Sequence, residues 1–572
     1  MKLLNIKNVH GLLVACSLSL VAPLTSCEGM LETDSDFVMY EDDNTLSHVT
    51  DSVYSVLGII NKMQVVADRT VLLGEARGDL MTTTEATKAD LKRLAEWDFS
   101  QENKYNAVSD YYAIINHCNY FLHHVDTTLE RRGFKIFEAE YAAVKTFRAW
   151  TYLELAKAYG NVPLVLEPLM TEIEARDAMN GPRTSLVDIC NYFIDDLTPY
   201  AYRKLPRFGE INGFNSRQFF IPMRVLLGDL CLWAGRYQES AYWYHDFLTD
   251  RDDYVHLNQS NRVTWNSPVS FTPSDVRDGY SVTSTSEVLS FIPMEDRPFD
   301  GIVSDLPNIF ESTEDNYYYY QLTPSVAMNK LSMSQIYCME VKNATETDTI
   351  YAPRSGFSKS MYIGDLRFLS NYSYSTTGSQ NSYSEYSVNK QYINKISSDR
   401  IPTTRKTMVF LRYAEALNRA GYPQSAMVIL KHGMCEDNLE AYVDTVERRA
   451  AGNLVYFDAN EYPRTDVIGI HSMGSGDSQA NESYVLPQPE EALATRQDTV
   501  DYQIPLVEDM IIDEMALEGA FEGYRYYDLM RVAMRRGDAA YLADPISMRN
   551  GEQDAALRAK LMVEQNWYLP LQ

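Results

Sequence analysis

The chain has 572 residues, a formal charge of −28 and 41 tyrosines. Its length is enough to bury a large core. The acidic balance argues against a nucleic-acid partner, because phosphate recognition needs a basic footprint.

The first 26 residues read as a lipoprotein leader. Lys2 and Lys7 form a basic start, and Gly11 to Ala22 is an apolar stretch too short to span a bilayer. Leu24-Thr25-Ser26-Cys27 then fits a bacterial lipobox, which makes Cys27 the expected lipidation site. Acyl chains contribute about 0.8 kcal/mol per buried CH₂, so several on one cysteine give stable anchoring. Loss of Lys2 and Lys7 with the leader takes the charge from −28 to −30. Glu28, Glu32, Asp34 and Asp36 follow the anchor closely. No later run approaches the ~18 uninterrupted apolar residues of a membrane span. Cys118, Cys190, Cys231, Cys338 and Cys435 are scattered without a C-x-x-C pair. They read as buried free thiols with at most one or two disulfides, and not as a metal site.

Asn44 to Met63 has Leu46, Val49, Val53, Leu57 and Ile60 at helical spacing. Arg77 to Phe99 carries polar and turn-forming residues and reads as a loop-rich excursion with room for a short helix. Tyr105 to Leu129 is helical again, with a stripe of Tyr112, Ile115, Asn119 and Leu122. It precedes a long central helix, Glu138 to Tyr159, which has no internal Gly or Pro. At about 100° per residue, Tyr141, Val144, Tyr152, Leu155 and Tyr159 share one face, while Phe147, Trp150 and Leu153 cover the other. A helix apolar nearly all round must be buried, and it forms an antiparallel pair with its predecessor. Gly160 is placed to end it and Pro163 prevents it from resuming, after which Pro163 to Leu166 is extended.

Ser185 to Leu197 is a further helix. Leu226 to Leu248 reads as a helix-turn-helix with Gly235 at the turn and Ala241 at a close approach. Leu411 to Leu430 repeats this with Gly421 and Ala426. Both look like tetratricopeptide hairpins, but they stand about 185 residues apart instead of the ~34 of a tandem array. The fold class is therefore mainly α: a tetratricopeptide-like helical scaffold with a large, loop-rich, irregular insertion containing short β segments. The insertion, residues 250–400, is rich in Ser, Thr, Asn, Gly and Tyr, with Val288 to Pro293 a candidate strand. Its length argues for a folded second lobe. The expected sections are residues 1–26 (leader), 27–249 (N-terminal scaffold), 250–400 (ligand-binding lobe) and 401–572 (C-terminal scaffold).

No catalytic constellation stands out. H-E-x-x-H, G-x-S-x-G and P-loop motifs are absent. The neighbours His123 and His124 point about 100° apart on a helix, which suits one exposed and one packed ring better than a metal pair. Asp195-Asp196 and Glu490-Glu491 resemble a glycosidase pair only superficially. Arg148, Arg525 and Asp528 read as structural ion-pair residues. Binding is better supplied. Tyrosine offers contact area at low entropy cost, and Trp97, Trp265, Tyr317, Tyr318, Tyr319 and Tyr320 are the candidate aromatic platform. No cofactor is implied.

Four separated stretches carry a resemblance as well. FRAWTYLELAKAYGNVPLV from Phe147, LRYAEALNRAG from Leu411, EMALEGAFEGYRYYDLMR from Glu514 to Arg531 and the closing WYLPLQ resemble the SusD/RagB family. Those are outer-membrane nutrient-binding lipoproteins of Bacteroidetes, and the lipobox agrees. The resemblance implies a cell-surface protein that caps a SusC/RagA-like TonB-dependent barrel. It would capture a nutrient oligomer, a glycan or, as in the RagB-like branch, an oligopeptide, and pass it on without cleavage. The acidic balance disfavours highly anionic glycans unless a local basic patch exists. The rivals are an anchored hydrolase and a scaffold that binds only the barrel.

Overall fold

The computed structural model describes residues 49–250, 287–295, 301–310, 320–335, 338–342, 347–351, 365, 367, 372–375, 390–393, 395–396, 399–457 and 484–571. The leader and Cys27 lie outside these residues. Among the described residues helices dominate, as the periodicity predicts, and strands occur only as short antiparallel pairs.

Helix α1 (Val49–Glu75) runs about three turns beyond the expected end at Met63. Val66, Ala67, Val71 and Leu72 keep its buried face continuous, and no proline interrupts it. At its far end, Gly74 touches Gly523 backbone to backbone, and a Cβ on Gly74 would lie 1.8 Å from the Gly523 carbonyl oxygen. The excursion after Arg77 is more ordered than expected, with strand β1 (Met81–Thr83) and the short helix α2 (Ala89–Ala95).

Helices α3 (Val108–His124) and α4 (Glu138–Tyr159) pack together, and α4 has the bounds that its sequence predicts. From Ala142 to Leu153 every residue of α4 is buried. Its two buried cations in this stretch share one carboxylate: Lys145 lies 2.5 Å and Arg148 3.2 Å from Asp196. Arg148 also donates to Asn119 at 3.1 Å. Gly160 ends α4 with φ +72, where a side chain is disfavoured. The outgoing strand is then held by side chains of both helices. Tyr112 donates to the Pro163 carbonyl at 2.8 Å, and the Tyr152 hydroxyl both accepts from and donates to Val165.

The scaffold continues through α5 (Leu186–Leu197), α6 (Met223–Trp233) and α7 (Tyr237–Thr249). Gly235 turns between α6 and α7 at φ +77. In the second hairpin Gly421 (φ +99) joins α8 (Lys406–Arg419) to α9 (Pro423–Met427), which passes into a π turn, Val428–His432. Ala241 and Ala426 are both fully buried. Two late helices, α10 (Arg496–Glu518) and α11 (Arg525–Arg536), extend the scaffold, and two short helices, Ala540–Ser547 and Ala555–Leu561, follow them.

In the insertion, β2 (Val288–Pro293) matches the expected strand; its partner is β4 (Arg400–Arg405), across the whole insertion. Between them, β3 (Leu322–Pro324) pairs with β1 of the scaffold. Residues 338–342 pair with 347–351, and 372–375 with 390–393, both antiparallel.

A buried ionic hub fastens this insertion to the scaffold. Glu514, Glu518 and Glu522 follow one another at four-residue spacing, the first two in the last turns of α10. Arg367 of the insertion lies 2.8 Å from Asp365, 2.5 Å from Glu514 and 3.1 Å from Glu518. Arg405 reaches Glu287 at 2.8 Å, Glu518 at 2.9 Å and Glu522 at 2.6 Å. Lys395 pairs with Glu522 and donates to the Glu518 and Ala520 carbonyls. Burial alone would raise the Glu518 carboxyl, but Arg405, Arg367 and Lys395 outweigh it and hold it at about 2.

Removing one partner of such a network strands the others in low dielectric. Glu518→Gln is expected to cost about 3–5 kcal/mol at neutral pH, read by denaturant unfolding. A depressed carboxyl contributes stability above its unfolded range, near 4.5, that is lost as pH falls towards 2. The gap between variant and wild type should therefore close over that window.

Candidate functional site

The insertion meets the scaffold at the β1–β3 pair, with Met81 opposite Pro324 and Thr83 opposite Leu322. Just beyond it the chain at Tyr320 is unusual. Tyr320 has φ +79, a left-handed conformation that a bulky aromatic residue adopts only at a cost of order 1–3 kcal/mol. Neighbours on two sides hold it there. Its N–H donates to the Asn308 carbonyl at 3.3 Å, and its carbonyl accepts from the Thr84 hydroxyl at 2.5 Å. Gln321 is fixed in turn: its N–H donates to Ile309, its carbonyl accepts from Thr87 and its amide oxygen accepts from the Lys88 N–H.

The half-buried Tyr320 is thus bonded through its backbone to the turn Thr84–Lys88, a rim where Glu85 and Lys88 are exposed. The Tyr320 hydroxyl donates to Thr323 at 3.0 Å. A flat ring with hydroxyl and charged neighbours suits a polar ligand that has an apolar face. Among the described residues no group of His, Cys, Asp or Glu is arranged to hold a metal ion. Nor is any helix there long and apolar enough to cross a membrane.

The other sequence candidates fall into different places. Trp265, Tyr317, Tyr318 and Tyr319 lie outside the described residues. Trp97 is a correction: it is 0% exposed and belongs to the core, not to a surface platform. It packs edge-on to Tyr526 at 5.2 Å and Phe99 at 6.2 Å, with the Arg77 guanidinium 5.4 Å from its ring centre. Arg525 makes a bidentate pair with Asp79 at 2.7 and 2.9 Å, and Asp528 lies 2.8 Å from Arg531. Arg148, Arg525 and Asp528 thus sit in three separate ion pairs, not in one site. Pro163 is buried in the strand after α4, and the space beside Gly160 is filled by the Tyr568 ring, 3.0 Å from where a Cβ would stand.

His123 is exposed near Glu167, while His124 is partly buried and contacts the Tyr120 carbonyl. Asp195 is exposed beside the paired Asp196, and Glu490 and Glu491 are both exposed. Cys118, Cys190, Cys231 and Cys435 are free and buried. Burial pushes the Cys118 and Cys231 thiols up to about 12, which makes them poor nucleophiles. The rim residues Thr84, Thr87 and Lys88 escaped the sequence reading, because nothing local marks a polar turn as the partner of a strand some 240 residues on.

Since Trp97 is core, Trp97→Ala is expected to lower stability by about 3–5 kcal/mol. Chemical unfolding reads this directly, and a loss below about 1 kcal/mol would contradict the packing role.

With this geometry in hand, the relatives become informative. A sequence profile of the SusD family matches residues 234–572. None of the curated proteins matches the sequence. Among solved structures, a SusD superfamily protein from Bacteroides vulgatus has a TM-score of 0.55 at 14% identity, covering 92% of this chain and 96% of that one. A SusD homolog from Bacteroides thetaiotaomicron has a TM-score of 0.51 at 14% identity, covering 93% and 95%. A SusD-like carbohydrate binding protein from Bacteroides vulgatus has a TM-score of 0.50 at 14% identity, covering 85% and 84%. At such identities the likeness is one of fold. The profile, however, spans more than half of the chain, and this chain belongs to the SusD family.

Proposed function

We propose that this protein captures a nutrient glycan at the cell surface without cleaving it and delivers it to a SusC/RagA-like TonB-dependent barrel. Family membership carries this reading. A relative of the same fold, named as carbohydrate binding, supports the ligand class. The over-determined Tyr320 rim supplies a place: backbone strain held at a junction between a rigid scaffold and a tyrosine-rich lobe is a mark of a binding site. The lobe of residues 250–400 supplies the ligand contacts, with Trp265, Tyr317, Tyr318, Tyr319 and Tyr320 as the candidate residues. The scaffold sections 27–249 and 401–572 form the barrel-facing frame. Cys27 carries the lipid that holds the chain on the outer membrane. Capture is driven by differing affinity for the ligand in open and closed states, not by chemistry. An oligopeptide is the second ligand class, as in the RagB-like branch.

Tyr320→Gly separates binding from folding. Glycine adopts φ +79 freely, so the substitution should leave stability within about 1 kcal/mol of wild type while weakening glycan binding. Calorimetric titration against a panel of neutral glycans and mixed oligopeptides measures the second effect. Unchanged affinity for every bound member of the panel would remove Tyr320 from the site. Binding of peptides alone would replace the glycan by the oligopeptide reading.

A further inference from the structure

Two hairpins of this chain are built alike, Glu130–Lys135 and Glu210–Asn215. Each turns on two residues of positive φ, Arg132 (+55) and Gly133 (+80) in the first, Asn212 (+51) and Gly213 (+81) in the second. A phenylalanine follows each turn, and the two are treated differently. Phe214 packs edge-on against Phe219 and Phe291, with the Arg400 guanidinium 4.6 Å from its ring centre. Phe134 is 78% exposed, the highest value of any large apolar side chain among the described residues. The turn therefore does not itself require an uncovered ring.

Charge sets the first hairpin apart as well. Arg131 stands opposite Phe134 and Lys135 opposite Glu130, and all four are exposed, as is Arg132 at the turn. Three cations against one carboxylate give this hairpin a charge of +2 in a chain of −28. Among the described residues Arg131, Arg132 and Lys135 form no ion pair. At physiological salt, charges beyond about 8 Å are largely screened, so a surface that touches the tip meets these cations more than the acidic body. An exposed ring among unpaired cations matches an anionic lipid surface, where apolar burial and attraction to phosphates act together.

The fold sets this hairpin at the end where an anchor would join. Helices α1 and α3 run antiparallel. Arg69 donates to the Ala107 carbonyl at 3.1 Å and pairs with Asp110. About two turns back along α1 and two turns on along α3, burial and the nearby Lys62 hold the His117 imidazole below its usual range. Val49, where α1 starts, is thus at the end of the scaffold where α3 finishes at His124 and the hairpin follows. Cys27 precedes Val49 by 22 residues.

We propose that the hairpin Glu130–Lys135 is a membrane-contact element. Phe134 enters the headgroup layer of an anionic bilayer, while Arg131, Arg132 and Lys135 meet lipid phosphates. This rests on the lipid-anchor reading above and extends it from a tether to an orientation, with the hairpin end of the scaffold turned to the bilayer.

The test is fluorescence quenching by brominated lipids. The mature chain carries Phe134→Trp as the probe and is held on nickel-chelating vesicles by an amino-terminal histidine tag. Brominated phosphatidylglycerol is expected to quench Phe134→Trp beyond the wild type, and brominated phosphatidylcholine to quench it less. Adding Arg131→Gln with Arg132→Asn should remove about half or more of that excess. Asparagine holds the matching turn position in the second hairpin and all three side chains are exposed, so melting temperatures should not move. Absence of excess quenching would overturn the proposal and leave the hairpin to a protein partner. Excess quenching that is equal in both lipids and unchanged by the arginine substitutions would overturn it too, because the cations would then contribute nothing. The tag stands in for the acyl chains, so this result does not depend on acylation of Cys27. Mass spectrometry of the chain from its own membranes reads acylation separately, and either reading can fail alone.

Discussion

The structure depends on the charges buried where α10 ends. Arg367 and Arg405 are each almost fully enclosed and share Glu518. A lone ion in such a place is expensive, and a network is tolerable only when every member is paired. The geometry meets that condition with acids from both sides, Glu287 and Asp365 from the insertion and Glu514, Glu518 and Glu522 from the scaffold. The described part of the insertion is therefore held to the scaffold by directional contacts, in addition to apolar packing.

That attachment is what gives the candidate site its rigidity. Strand β4 leads from Arg405 directly into α8, and β2 pairs with it. Gln64 and Asp68 of α1 hold the same lobe by bonds to the Pro293 carbonyl, the Ser304 hydroxyl and the Asp305 N–H. Tyr320 then stands on a backbone fixed from the scaffold side by Thr84. Loops placed on a stiff frame are where binding residues usually sit.

Much of the frame was legible in the sequence, and for local reasons. Helix α4 has no breaker between Glu138 and Tyr159 and a glycine directly after it, so both ends are written in adjacent residues. The two hairpins were marked by Gly235 and Gly421. Long-range pairings were not legible: Val288–Pro293 reads as a strand, yet nothing in it names Arg400–Arg405 as its neighbour. Trp97 shows the same limit for side chains. It lies in a polar stretch, which suggested exposure, whereas the Tyr526 ring that packs edge-on against it comes from more than 400 residues away.

The central claim, capture without cleavage, is tested most directly by the fate of the ligand. The mature chain would be held overnight with each saturating glycan and peptide of the panel, and the released material analysed by mass spectrometry. Intact oligomers, bound and recovered at their original length, are the expected result. Shortened products that appear with wild-type protein and not in its absence would contradict the account and make this chain a surface hydrolase.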